Sequence, residues 1–170
     1  ASRYLLGVVE LLRSLDVVAR RVAVFNADTG FAADMSAGLL EWLQSENYTL
    51  TTHQRYASGR QDFRPLLDVV AADPPDWLLA VGRIEDDLHL AQQLCDRRPP
   101  LKAVGLVVAA IEQFKIKLGE SSTGFLAPSQ WEPQVQYAVD CGPSTDTFVR
   151  GYRQHANVPL DYPAAQGYVS

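Results

Sequence analysis

The sequence holds little with which to build a reaction centre. Its 170 residues include only two cysteines and three histidines. Cys95 and Cys141 lie far apart, which excludes a CxxC redox pair and the close cysteine spacing of a zinc site. Two separate thiols, buried or half-buried, are the expectation. His53, His89 and His155 share no ligand spacing and fall on a strand and two helices, so they read as surface residues. GxSxG is absent, and with it the nucleophile elbow of a hydrolase. GxGxxG and the P-loop pattern are absent too. Asp28-Thr29-Gly30 is no phosphate cradle, and nucleotide binding is not expected.

Other absences narrow the class further. No apolar run reaches the ~18 residues of a membrane span. Lys and Arg never cluster beyond the pairs Arg20-Arg21 and Arg97-Arg98, and 20 acidic against 15 basic residues give a net charge of -5, so no nucleic-acid footprint is visible. There is no initiator Met and no signal-peptide order of basic, apolar and small residues. The chain opens on Ala1-Ser2-Arg3 and closes, from Tyr162 to Ser170, on what reads as a helix just beginning. We read it as a piece of a longer chain, with any address signal outside it.

What is present is a strongly patterned globular sequence, 47% hydrophobic and 21% charged, of the length of one domain. Tyr4, Leu5, Val8, Val9, Leu11, Leu12 and Leu15 recur at helical spacing, which predicts a helix over residues 3–15. Arg21 to Asn26 is a short β-branched run, apolar on both faces, as in a central parallel strand. A turn and a long amphipathic helix through Met35, Leu39, Leu40 and Leu43 follow. The unit then repeats. Strands are predicted at 49–56, 76–82, 102–107 and 124–127, and helices at 63–72, 85–97, 111–118 and 144–155, with Asp62 and Ser144 as caps.

Such alternation with short connections implies right-handed crossovers and a doubly wound α/β three-layer sandwich. Its mainly parallel five-stranded sheet, in order 2-1-3-4-5, carries helices on both faces. Ligands of these sheets sit outside the carboxyl ends of the strands, at the point where strand order reverses. The loops there are 26–31, 56–61, 82–86, 107–110 and 127–133.

Asp28, Glu85, Asp86 and Asp87 raise the question of a phosphoacceptor pocket. That chemistry wants an acidic pair after the first strand and an Asp ending the third, whereas these strands end in Asn26 and in Gly82-Arg83. Glu85 to Asp87 are expected instead to complement the positive end of a helix dipole. Trp42 and Trp77 read as packing residues. Trp131, in the irregular stretch Ser129-Gln130-Trp131-Glu132-Pro133, stands open between packing and lining a site or hinge.

Val22-Ala23-Val24-Phe25-Asn26 with Thr29-Gly30-Phe31, Tyr56 to Gly59 with Asp62-Phe63, Pro65-Leu66-Leu67, Leu118-Gly119-Glu120, Gln130-Trp131-Glu132-Pro133 and Phe148-Val149-Arg150 resemble, in this order, one family. It is the type I periplasmic solute-binding proteins of the branched-chain amino acid and amide class, which feed ABC importers. The resemblance implies two α/β lobes closing on a ligand, of which residues 1–160 are the second. Residues 161–170 are the start of a return segment towards a first lobe whose ligand loops have no counterpart here. It implies no catalysis and no cofactor. The implied partners are a small-molecule ligand, the missing lobe and an ABC permease, in a periplasmic or extracellular location. Self-association of an isolated lobe is expected from its uncovered apolar face.

Carried over, the resemblance puts Phe31 at the aromatic after the first strand that packs on the ligand, and Arg83 or Ile84 where a second aromatic often stands. Val108 or Ala109 lies near the acid that receives an amino-acid ligand's ammonium group. That acid is missing, and Glu112 is the nearest carboxylate. The apolar strip Val107 to Ile111, Phe31 and the Arg83 guanidinium suit an organic carboxylate, aromatic ones included, in place of an α-amino acid. Arg83 pairing with Glu85 to Asp87 in solvent is the open alternative. The expected ligand-binding positions are Phe31, Gly82, Arg83, Ile84, Val108, Ala109 and Trp131, with no catalytic or metal residue. A sensing module of a receptor or regulator is the alternative use of the same fold.

Overall fold

Five apolar runs become five parallel strands: β1 (Arg21–Ala27), β2 (Thr49–Tyr56), β3 (Trp77–Val81), β4 (Ala103–Leu106) and β5 (Phe125–Leu126). They form one sheet in the order β2-β1-β3-β4-β5, as the sequence predicts. The structure is a computed structural model that describes residues 4–135, 138 and 141–169, so the Ala1-Ser2-Arg3 start and Ser170 lie outside the described residues. Val22 to Ala27 and all of β3 are buried, because helices cover both faces of the central strands. β2 sits at an edge, and only Tyr56 within it is fully covered.

The helices divide by crossover direction. α1 (Leu6–Ser14) and α2 (Gly30–Ser45) share one face, where Arg13 of α1 pairs with Glu46 at 3.1 Å and lies 5.9 Å over the Trp42 ring. α3 (Arg64–Ala72), α4 (Ile84–Arg97) and α5 (Glu112–Leu118) share the other: Arg97 pairs with Asp68, the Phe63 amide donates to Gln93, and Lys117 meets Glu85. α1 comes close enough to β4 that a Cβ on Gly105 would lie 3.2 Å from Val8 and 2.8 Å from Leu79. Right-handed connections that first step from β1 out to β2, then return across to β3, put α2 and α3 on opposite faces. A crevice opens between the carboxyl ends of β1 and β3.

Several boundaries depart from expectation. Asp62 is not the cap of α3. Phe63, fully buried against Tyr56 with ring centroids 5.0 Å apart, takes that position in helical conformation, and the Asp62 carboxylate instead accepts the Arg64 amide at 3.0 Å. β5 keeps two of its four expected residues, because Gly124 lies in the left-handed region at φ 95° and Pro128 brings no ladder donor. Ser144 does cap α6 (Thr145–His155), its hydroxyl accepting the Thr147 amide at 3.4 Å. Asp161 caps α7 (Tyr162–Val169) through the Ala164 amide at 3.1 Å. Cys95 is half-buried and Cys141 exposed, a correction for Cys141; both are free thiols.

Candidate functional site

At the crevice the carboxyl-edge loops, Tyr4 ahead of α1 and the last helix, α7, border an open cleft of about 980 Å³. Phe31, one residue into α2, stands on one side with 56% of its surface exposed, as the Thr29 cap turns the helix start towards solvent. Gly82 and Arg83, between β3 and α4, and Ile84, the first residue of α4, form the floor and opposite wall, and Val107 and Val108 continue it beyond β4. Five of the expected ligand positions, Phe31, Gly82, Arg83, Ile84 and Val108, therefore meet in one place. Ala109 is buried and does not line the cleft. Trp131 also stands off it, packed edge-on against Phe148 of α6 with centroids 5.7 Å apart, while its neighbour Gln130 faces in.

Sequence reasoning missed the far wall. Tyr4, Tyr162, Gln130 and Gln166 line it, with Tyr4 hydrogen-bonded to Tyr162 and the Gln166 amide donating to Gln130. Burial and that bond to Tyr4 both push the Tyr162 phenol up. Tyr4 sits at one end of the chain and Tyr162 and Gln166 at the other, where no local pattern marks them as neighbours. Glu112, the carboxylate nearest the missing acid, instead pairs with Lys115 at 2.7 Å and does not line the cleft.

The acidic run fills the first turn of α4, at the positive end of its dipole as expected, but its three side chains do not form one patch. Three consecutive helical residues point about 100° apart, and each meets a different neighbour. Glu85 pairs with Lys117 at 3.1 Å. Asp86 accepts the Gly59 amide at 2.7 Å and the Arg83 amide at 3.3 Å, tying the loop after β2 to the head of α4. Arg83 occupies the cap position but has no acceptor atom to answer with, so this is half of a capping box. Asp87 is fully buried.

Burial pushes the Asp87 carboxyl well above the usual carboxylate range, the Val108 backbone N–H pulls against that rise, and the Asp86 charge adds to it. The Val108 contact falls short of strict hydrogen-bond geometry, and neither Asp87 oxygen has a partner among the described residues. With its carboxylates engaged or buried, the acidic run leaves the Arg83 guanidinium without an ion pair or hydrogen bond among the described residues. It is exposed at the cleft.

No histidine or cysteine is among the described residues that line the cleft. His53 shares a 2.7 Å hydrogen bond with Asn26, its pKa lowered by burial, while His89 is half-buried and His155 lies on α6, all off the cleft. Among the described residues no group of three His, Cys, Asp or Glu side chains is arranged to hold a metal ion, and no helix is long and apolar enough to cross a membrane.

The sequence profile of the periplasmic binding proteins matches residues 5–170. The chain belongs to the periplasmic binding protein family. Members of this family bind solutes and are not enzymes. Solved structures of the family share the fold. A leucine-, isoleucine-, valine-, threonine- and alanine-binding protein from Brucella ovis, in a closed conformation, superposes with a TM-score of 0.81 at 13% identity over 96% of this chain and 40% of its own. A leucine-binding protein from Thermotoga maritima gives 0.81 at 19% identity over 96% and 45%. An ABC transporter solute-binding protein from R. palustris in complex with benzoate gives 0.70 at 13% over 94% and 42%. The chain thus spans less than half the length of these family members.

Proposed function

We propose that residues 1–160 form one ligand-binding lobe of an exported solute-binding protein, and that 161–170 begin the return to its partner lobe. The ligand is a small organic carboxylate with an apolar or aromatic body. Closure of the second lobe over the cleft traps it for delivery to an ABC permease, with no chemical change.

The observation that carries this reading is the unpaired Arg83 guanidinium at a cleft walled by Phe31, Ile84, Val107 and Val108. A guanidinium meets a carboxylate in two parallel hydrogen bonds, and the apolar wall suits a hydrocarbon body. No carboxylate stands at Val108 or Ala109 to receive an ammonium group. A benzoate-bound protein of the same fold supports the ligand class.

The test is a thermal-shift and calorimetric screen of the full-length protein against benzoate, other aromatic and aliphatic acids, amides and L-leucine. Acids should raise the melting temperature, by the equivalent of about 2.7 kcal/mol at a hundredfold excess over Kd. Arg83→Ala should weaken acid binding about tenfold or more, the ~1.4 kcal/mol of a modest charge-assisted contact. Unchanged affinity in that variant, or binding confined to amino acids, overturns the carboxylate reading.

A further inference from the structure

Beneath the cleft floor lies a buried polar group that the proposed binding does not use. A Cβ placed on Gly82 would fall 2.1 Å from Asp87 Oδ1 and 2.5 Å from the Tyr56 hydroxyl, so both oxygens press on the same glycine from behind. Asp87 is fully buried and Tyr56 nearly so. The Val108 backbone N–H approaches the same carboxyl. The Asp87 carboxyl therefore lies among the carboxyl ends of three strands: behind Gly82 after β3, near the Val108 N–H after β4, and close to the Tyr56 hydroxyl of β2, with which it makes no hydrogen bond. Gly82 and Val108 are themselves cleft floor.

An ionised carboxylate here would have no cation to offset it. The group acting on Asp87 from its own helix is Asp86, a like charge. Tyr56 feels Asp87, Asp86 and, in opposition, Arg60 from the loop after β2; the Gly82 and Val108 contacts are uncharged. A buried charge with no partner is expelled or neutralised.

We propose that Asp87 is the positioning residue of the cleft floor, holding Gly82 and Val108 in register as a neutral carboxylic acid, so that the floor loosens when this proton is lost. The proposal rests on the binding reading above for its functional consequence, and on the burial of Asp87 behind Gly82 for the loosening. In neutral form the carboxyl both donates, towards Tyr56, and accepts, from the Val108 N–H, which the carboxylate cannot do. Burial and the neighbouring Asp86 both favour that form.

The experiment uses the full-length protein with two readouts. Carboxyl ¹³C titration of Asp87 should show it protonated at pH 7, and the protection of the Gly82 and Val108 amides, with exchange corrected for its intrinsic rise with pH, should fall at least tenfold as that group ionises. Asp87→Asn, which stays neutral, should keep both amides protected at high pH. Asp87→Leu should leave them weakly protected at every pH. Benzoate affinity should follow the exchange profile. An Asp87 already ionised at pH 7, or exchange indifferent to its titration, overturns the proposal whether or not the variants fold. If benzoate fails to bind while the exchange behaves as described, the carboxylate reading falls and the positioning role stands.

Discussion

Two aspartates at opposite ends of the same sheet are held in opposite ways. At the amino edge, Asp76, just before β3, accepts the Arg20 amide at 2.8 Å, the Arg21 amide at 3.0 Å and the Lys102 ammonium at 2.8 Å. The Arg20 amide first, then Lys102, hold its carboxyl down at about 2, against a burial effect that would raise it. At the carboxyl edge Asp87 is more deeply buried, meets no cation among the described residues, and moves the other way. The amino edge is a closed seam, with every Asp76 contact serving to join β1, β3 and β4. The carboxyl edge is open, and beneath it the Asp87 carboxyl and the Tyr56 hydroxyl are buried with no hydrogen-bond partner among the described residues.

Removing the closed end should have the largest effect. Asp76→Ala strands two backbone N–H groups and Lys102, and urea unfolding should show a loss of about 3 kcal/mol. A loss under about 1 kcal/mol would erase the contrast between the edges. Gly82→Ala comes next. Its methyl cannot fit against Asp87 and Tyr56 without moving them, so about 2 kcal/mol should be lost together with acid binding. Wild-type stability with intact binding would place Asp87 elsewhere.

The pH profile separates the two groups. Asp76 is depressed, so its contribution is complete above the ordinary 3.8 and is lost as pH falls towards 2; acid unfolding should show a drop of about 2 kcal/mol there that Asp76→Asn lacks. Asp87 is raised, so its contribution is complete below 3.8 and is lost as pH rises towards its folded value. Its slope has the opposite sign and should vanish in Asp87→Asn. Two slopes of the same sign in melts of these variants would contradict the assignment. The smallest effect belongs to Arg83→Ala, whose exposed, unpaired side chain should leave the urea midpoint within about 0.5 kcal/mol of wild type even where acid affinity falls. A larger loss would mean that Arg83 supports the fold.

Much of the frame is legible in local pattern. Val22 to Phe25 and Leu78 to Val81 are apolar on both faces, and with short connections they require a covered parallel sheet. Its strand order fixes where the crevice lies, and it is the family resemblance that implies Phe31, Arg83, Ile84 and Val108 as ligand positions there. Ends were less legible. Asp62 has the composition of a cap, but the burial of Phe63 decided where α3 begins. Trp131 had no periodicity to orient it, and Phe148 claimed it. Tyr4 and Tyr162 meet across nearly the whole chain, a proximity that no window of sequence contains.

Local sequence pattern settled the layers and the edge at which a ligand would lie, because these follow from the period of apolar residues and the handedness of short crossovers. Tertiary structure alone decided the fate of Glu85, Asp86 and Asp87: one paired on the surface, one tying a loop, one buried without a cation. Their composition is nearly uniform, but successive helical residues face different neighbours. A carboxyl's charge is set by those neighbours and by its access to water, and neither is written in the run itself.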